Sequence, residues 1–399
     1  MTIVESEAKV LRFGIAGLGV AAAQILPVIA KHPHLQATAA AEPRQEARDK
    51  FISEYGGETF STVEELCASP NVDAVYVCTP NPFHAEHVIT AAEHGKHIIV
   101  EKPMGLSMEE CEAMNEAVKR NGVKLLCGHT HSFDAPVRKM REIVAGGELG
   151  RLCMINTWHY QSWIYGARAW DELDATKGGN VIYRQAPHSI DILRLIGGGM
   201  VRSVRAMTGV WDASRRAEGM WVAYIEFEDG TPATNVFSGY AHFDTAEFTE
   251  WIGETIRTPE TNLRARARIA SLKTPEEEAQ YKFVRRYGGG EESDRTRDEN
   301  YPHPHFGITI ISCEHGDIRQ SPHGLYIYGD HENWEVPVPK TIRGREAELD
   351  ELYRAVVEDR PVFHDGHWGQ ATLEVILGIM QSARERREIF MKHQVPSPE

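Results

Sequence analysis

The 399-residue chain reads as an α/β protein. An N-terminal domain with a doubly wound parallel sheet precedes a C-terminal α/β domain with a large open, mostly antiparallel sheet. Three observations predict this. An apolar run from Phe13 passes through closely spaced glycines into a helix. Apolar strands and amphipathic helices then alternate through the first third of the chain. From about residue 129 longer segments of alternating polarity take over, as in a sheet with one covered face. The expected domains are therefore residues 1–128 and 129–399.

The first element is Phe13-Gly14-Ile15-Ala16-Gly17-Leu18-Gly19-Val20-Ala21-Ala22. Gly17 permits a tight turn, Gly19 lets backbone approach a pyrophosphate, and Ala22 lets the helix pack close to the sheet. Val20 and Ala21 open that helix, whose unpaired N–H groups and positive dipole end favour phosphate. A strand over 35–41 ends at Glu42, placed to accept hydrogen bonds from adenosine ribose hydroxyls. That carboxylate favours NAD; Arg44, a guanidinium two residues on, keeps NADP as the alternative. A helix over 44–55 and a buried strand over 72–78 follow, ended by Thr79-Pro80-Asn81-Pro82. Next come a helix over 84–94, a strand over 96–100 running into Glu101-Lys102-Pro103, a helix over 108–121 and a strand over 124–128.

In the second domain a helix over 136–145 precedes strands over 153–160, 201–210, 221–228 and 233–240. Residues 274–300 are charged and glycine-bearing, a helix and loop that could fold over a site as a lid. Amphipathic helices over 344–358 and 370–391 close the chain.

With 42% hydrophobic and 25% charged residues the composition is that of a soluble globular protein. A net charge of −15 argues against nucleic acid and anionic membranes as partners. An anionic ligand must then be held by local basic groups. No apolar run has membrane-helix length, and the polar start, residues 1–9, does not resemble a signal peptide. Six scattered cysteines without a C-x-x-C read as reduced thiols, so a cytoplasmic location is expected.

Two clusters could carry chemistry. Glu101-Lys102-Pro103 stands at the carboxyl end of a strand, where its ammonium can hold a substrate oxygen and stabilise developing negative charge. Gly178-Gly179-Asn180 leads to His188 and Asp191, three residues apart at helical spacing. An imidazole there suits removal of a hydroxyl proton. A structural histidine at a helix start is the plainer reading. His129 with His131 and His303 with His305 form H-x-H pairs that could ligate metal, with His188, His242, Asp244 and Glu247 elsewhere in the chain. A polar substrate pocket is the preferred reading of these histidines, and no metal is expected. Trp158, Tyr160, Trp163, Tyr165 and Trp170 could meet a ring substrate or pack in a core or subunit interface.

The glycine turn, Glu101-Lys102-Pro103 and Gly178-Gly179…His188…Asp191, in this order, resemble the Gfo/Idh/MocA family of nicotinamide-dependent oxidoreductases. The resemblance implies a Rossmann domain and a second domain whose open sheet often mediates oligomers, so a homo-oligomer, dimer or tetramer, is expected. It implies that Lys102 assists proton and charge handling and that His188 is the general acid/base. Thr79, Pro80, Asn81 and His84 match the cofactor-side loop, with Glu101 and Lys102 flanking the nicotinamide. Polyol dehydrogenases of this family usually carry Asp four residues before the histidine, and this chain has Arg184. A guanidinium suits a substrate carboxylate instead. The stretch Gly128-His129-Thr130-His131-Ser132-Phe133-Asp134-Ala135-Pro136, with Ser238-Gly239-Tyr240 and His305-Phe306-Gly307, is similar to dihydrodiol dehydrogenases within the family. That implies a small-molecule substrate, a cyclic cis-diol bearing carboxylates such as phthalate 4,5-cis-dihydrodiol. Arg184, Arg138 and Arg168 are the candidate clamps, and His129, His131, His188 and Asp191 the other substrate contacts. The alternatives are a sugar or inositol dehydrogenase, a non-catalytic NAD(H)-binding regulator, and metal-assisted lyase or hydrolase chemistry.

Overall fold

The computed structural model describes residues 9–128, 130–168, 172–284, 286–287, 302–340 and 344–397. The expectations for His129, Trp170 and residues 288–300 lie outside them.

The first sheet comprises β1 (Leu11–Ala16), β2 (Leu35–Ala41), β3 (Glu58–Phe60), β4 (Ala74–Val77), β5 (His97–Val100) and β6 (Leu125–Cys127). All pairings are parallel, in the order β3-β2-β1-β4-β5-β6. The order reverses between β1 and β4, which opens a crevice at their carboxyl ends. Residues Ala74 to Val77 are wholly buried, as expected of a parallel strand covered on both faces. Two elements were not expected: the three-residue β3 and the six-residue helix Val63–Ala68. Both are too short to show a period; the helix is started by a capping box between Thr62 and Glu65.

The second sheet comprises β7 (Leu152–Tyr160), β8 (Val201–Gly209), β9 (Met220–Phe227), β10 (Pro232–Ser238), β11 (Ile308–Cys313), β12 (Gly316–Ser321), β13 (Gly324–Gly329), β14 (Asn333–Pro337) and β15 (Ile389–Phe390). Its order is β14-β13-β12-β11-β7-β10-β9-β8-β15. Only β7 and β10 pair in parallel. The meander β11 to β14 was missed, since its strands are short and glycine-interrupted. The last long helix is Gly366–Glu385, started by Asp365 and ended at Arg386, which takes φ 56°. The chain then turns into β15, so the expected helical end at 391 is corrected. The helix Gly344–Val357 packs Leu349 and Leu352 into the cluster formed by Leu11, Phe13 and Ile25 of the first domain.

One helix organises the second domain. Val181–Ile196 is buried along nearly its whole length. Gly178 (φ 70°) brings its backbone so close to Leu106 that a Cβ would lie 2.4 Å from that side chain. Asn180 then caps the helix by accepting the Tyr183 N–H at 2.9 Å. The helix therefore begins seven residues before His188, which sits mid-helix and not at a start. Asp191 departs from expectation more sharply. Its carboxylate accepts from Thr130 Oγ1, Ser132 Oγ, Trp368 Nε1 and Thr372 Oγ1, all within 3.1 Å. A helix rotates such that a residue three along is displaced by roughly 60°, enough to turn Asp191 into packing between elements.

Removing this acceptor strands several buried donors. Asp191→Ala is expected to lower stability by about 3 kcal/mol, with Asp191→Asn losing less. Thermal unfolding of both variants checks this.

Candidate active site

A cavity of about 2040 Å³ runs from the β1–β4 crevice into the second domain. At its outer end Gly17 takes φ 95°, and a Cβ there would lie 3.1 Å from the Cys78 carbonyl oxygen. Gly19 has nothing within 4 Å of where a Cβ would stand. It precedes the helix Val20–Lys31, whose first turn has no side-chain cap. Open space and uncapped N–H groups fit a pyrophosphate. Val20 and Ala21 also line this end. Glu42 is fixed beside the turn, where one oxygen accepts from Leu18 N–H at 2.8 Å and the other from Arg44 Nε at 2.8 Å. Arg44 in turn donates to the Leu18 carbonyl at 2.7 Å and lies over the Phe283 ring. The Tyr287 N–H reaches the Gly19 carbonyl at 3.3 Å, and its hydroxyl donates to Glu54. The helix Pro275–Phe283 and Tyr287 thus pack across this end, within the segment expected as a lid.

Further in, His84 ties two loops together. Its ring nitrogens lie 2.9 Å from the Pro103 carbonyl and 3.0 Å from the Thr79 carbonyl. Asn81 bonds the Gly178 carbonyl at 3.4 Å, and Thr79 and Pro80 line the cavity. Glu101 is held by Arg345 and Tyr76, each at 3.1 Å. Arg345 has no local motif to mark it and lies more than two hundred residues from Glu101 in the chain. Lys102 donates to the Arg184 carbonyl at 3.1 Å. Burial lowers its pKa to about 8; Glu101 opposes that shift and Arg184 adds to it.

At the inner end three imidazoles surround Phe306. Ring centroids of His131, His159 and His188 lie 4.8, 4.6 and 5.0 Å from it, and His131 and His188 are 4.9 Å apart. His131 sits between two carboxylates, 2.6 Å from Asp134 and 3.3 Å from Glu254. Burial works against its charge, but the two carboxylates raise its pKa to about 9. Burial leaves His159 neutral, lowered to about 4. Glu254, His159, Gln161 and Gln185 were missed in the sequence. They carry no motif and come from a loop, a strand end and a helix. Gln161 Nε2 and Gln185 Oε1 are buried without a hydrogen-bond partner and line the cavity.

A basic cluster forms another wall. Arg168, Arg184 and Lys282 line the cavity around Glu172, to which Lys282 is ion-paired. Arg168 stacks on Trp163 at 3.6 Å, and burial lowers its pKa to about 10. Arg138 is elsewhere, half exposed and 3.5 Å from Glu351. Asp191 does not line the cavity. His303 donates to or faces the Val338 carbonyl at 2.9 Å, and Asp244 is paired with Arg257. Among the described residues no group of three or more His, Cys, Asp or Glu side chains is arranged to hold a metal ion. Trp158 lies on the opposite sheet face, 45% exposed.

The chain belongs to the Gfo/Idh/MocA oxidoreductase family. The family's NAD-binding Rossmann domain matches residues 11–129, and a Gfo/Idh/MocA C-terminal domain matches residues 137–256. The chain is 34% identical over 382 residues to 1-carboxy-3-chloro-3,4-dihydroxycyclohexa-1,5-diene dehydrogenase of Comamonas testosteroni, covering 94% of this chain and 95% of that one. A solved structure of a candidate dehydrogenase from Bordetella bronchiseptica RB50 superposes with TM-score 0.89 at 39% identity, covering 96% of this chain and all of that one. scyllo-Inositol 2-dehydrogenase (NAD(+)) of Bacillus subtilis is 29% identical over 190 residues, 47% of this chain and 53% of that one. The protein is an NAD-dependent oxidoreductase.

The open space at Gly19 gives a direct check. Gly19 takes φ −90°, which any residue adopts, so Gly19→Val is expected to leave the melting temperature unchanged. Binding of NAD should weaken about tenfold or more as the side chain fills the phosphate cradle, measured by calorimetry.

Proposed function

We propose that this oxidoreductase oxidises a cyclic cis-diol bearing carboxylate, a cis-dihydrodiol such as phthalate 4,5-cis-dihydrodiol. The observation that carries this reading is the basic wall of Arg168, Arg184 and Lys282 in the same cavity as Lys102 and His188. In a chain of net charge −15 such a wall has a local purpose, and guanidinium forks match carboxylates. The relative from Comamonas testosteroni, whose name specifies a carboxylated ring diol, supports the same class.

Bound NAD supplies the hydride acceptor. The roles of the side chains follow from chemistry. Arg184 and Arg168 hold substrate carboxylate. Lys102, as an ammonium, donates to the reacting oxygen and stabilises charge as it develops. His188 takes the hydroxyl proton. Loss of hydride and proton gives a ketone that tautomerises to an aromatic catechol, which draws the reaction forward.

The outer face of the second sheet supports a subunit interface. Met154, Trp158, Met207, Val222 and Tyr224 are each at least 40% exposed there, an apolar surface of the kind that pairs with a second copy. The working unit in this reading is a homo-oligomer in the cytoplasm. Among the described residues no helix is long and apolar enough to cross a membrane, and the six cysteines are free.

NADH formation with carboxylated and uncarboxylated cis-dihydrodiols, myo-inositol and glucose tests the substrate class. Turnover confined to the carboxylated diol is expected; turnover on the polyols alone would contradict it. Arg184→Ala should raise KM for the carboxylated diol about 10- to 100-fold with a smaller effect on kcat. Lys102→Ala and His188→Ala should each lower kcat by about 10²- to 10⁴-fold while NADH still binds. Because the working form of Lys102 is the cation, kcat/KM should fall as pH rises through about 8, and Lys102→Arg should move that limb upward. Trp158→Glu should shift the assembly to monomers in light scattering.

A further inference from the structure

Glu254 is a carboxylate delivered to the cavity by a loop built for that purpose. It stands at the tip of a small hairpin closed by a bridge between Ile252 and Ile256. Glu250 and Trp251 enter this hairpin at φ 55° and 63°, two consecutive non-glycine residues in the left-handed region. Such strain persists only where the surroundings over-determine it, and it collects at functional sites. Here the surroundings are explicit. Trp251 N–H donates to the Ala246 carbonyl at 2.6 Å, and Arg257 N–H to the Trp251 carbonyl at 2.8 Å. His305 N–H donates to the Gly253 carbonyl at 3.1 Å, and Arg257 grips Asp244 through two nitrogens.

The tip side chain is 40% exposed, faces the cavity and lies 3.3 Å from His131 Nε2. Asp134 fixes the other ring nitrogen of His131 at 2.6 Å. Burial would raise the Glu254 pKa, but His131, His159 and Lys102 hold it well below the usual carboxylate range. The group is therefore an ionised acceptor at neutral pH. The cavity is polarised as a result. Arg168, Arg184 and Lys282 gather in one wall, and Asp134 and Glu254 flank His131 in another. A substrate carboxylate is repelled from the second wall, whereas a hydroxyl that keeps its proton is a good donor to it.

We propose that Glu254, oriented by His131, recognises the non-reacting hydroxyl of the cis-diol and so determines specificity for a vicinal diol over a single alcohol. A cis-diol sets its oxygens roughly 3 Å apart, each with partners at about 2.8 Å. The His131 ring, whose Nε2 meets the Glu254 carboxylate at 3.3 Å, lies 4.9 Å centroid to centroid from the His188 ring, so the acceptor stands near the proposed base. Gln161 Nε2 and Gln185 Oε1, both more than nine-tenths buried and without partners, add polar contacts on the same cavity. A site made to accept from a hydroxyl rejects the analogue lacking it.

This inference rests on the dihydrodiol reading, and the test separates the two. Binding of 4,5-dihydroxyphthalate and 4-hydroxyphthalate to the full-length enzyme–NADH complex is measured by calorimetry for the wild type and Glu254→Gln. The wild type is expected to bind the dihydroxy compound at least about tenfold more tightly. Glu254→Gln should bring that ratio close to one while leaving the affinity for 4-hydroxyphthalate within about twofold. An unchanged ratio in Glu254→Gln, equal loss for both ligands, or a wild type that does not discriminate overturns the role of Glu254. If the wild type still oxidises the carboxylated dihydrodiol, the substrate reading survives that result. Failure of the wild type to bind either compound also overturns the role of Glu254, and the substrate reading falls with it only where the wild type fails to oxidise the carboxylated dihydrodiol as well.

Discussion

The site depends on one buried carboxylate. Asp191 gathers Thr130 and Ser132 from one part of the chain and Trp368 and Thr372 from another. It thereby locks Val181–Ile196 against both the segment after β6 and the helix Gly366–Glu385. A carboxyl group so deep is tolerated because its oxygens are supplied with donors. Rigid placement of that helix is what brings Arg184, Gln185 and His188 to the cavity wall and gives Lys102 the Arg184 carbonyl as partner. Precision in a hydride-transfer site comes from such supporting contacts more than from the reacting groups themselves.

Electrostatics then divides the space. At the crevice end the helix after Gly19 starts without a side-chain cap, and Glu42 is pinned by Leu18 and Arg44. Arg44 is committed to Glu42 and to the Leu18 carbonyl, which fits the NAD dependence of the family. The inner end holds a mainly basic wall and a mainly acidic one, so in the proposed reading a ring with carboxylates on one edge and hydroxyls on another has one favourable orientation. Histidines around one phenylalanine differ in charge because their neighbours differ: His131 has two carboxylates, while burial governs His159.

Local patterns were legible in the sequence. Gly17, Gly19 and Glu42 depend on spacing within one strand–turn–helix–strand unit, and Lys102 follows directly from a strand end. The family resemblance pointed to His188, which lines the cavity, because its motif is local in the chain. What stayed hidden is non-local. Asp191 looked like a partner of His188 by helical spacing, but its partners lie 59 to 181 residues away. Glu254 sits on a hairpin tip with no periodic signal, and Arg345 reaches Glu101 across 244 residues. The β11–β14 meander was too short and glycine-rich for alternation to declare it.

The most direct measurement is a crystal structure of the enzyme with NADH and 4,5-dihydroxyphthalate. Ring carboxylates are expected against Arg168 and Arg184, one hydroxyl against Lys102 and His188, and the ring edge bearing it toward the cofactor. The reverse orientation, with carboxylates at Lys102 and His188 and hydroxyls at the arginines, would contradict the proposed function.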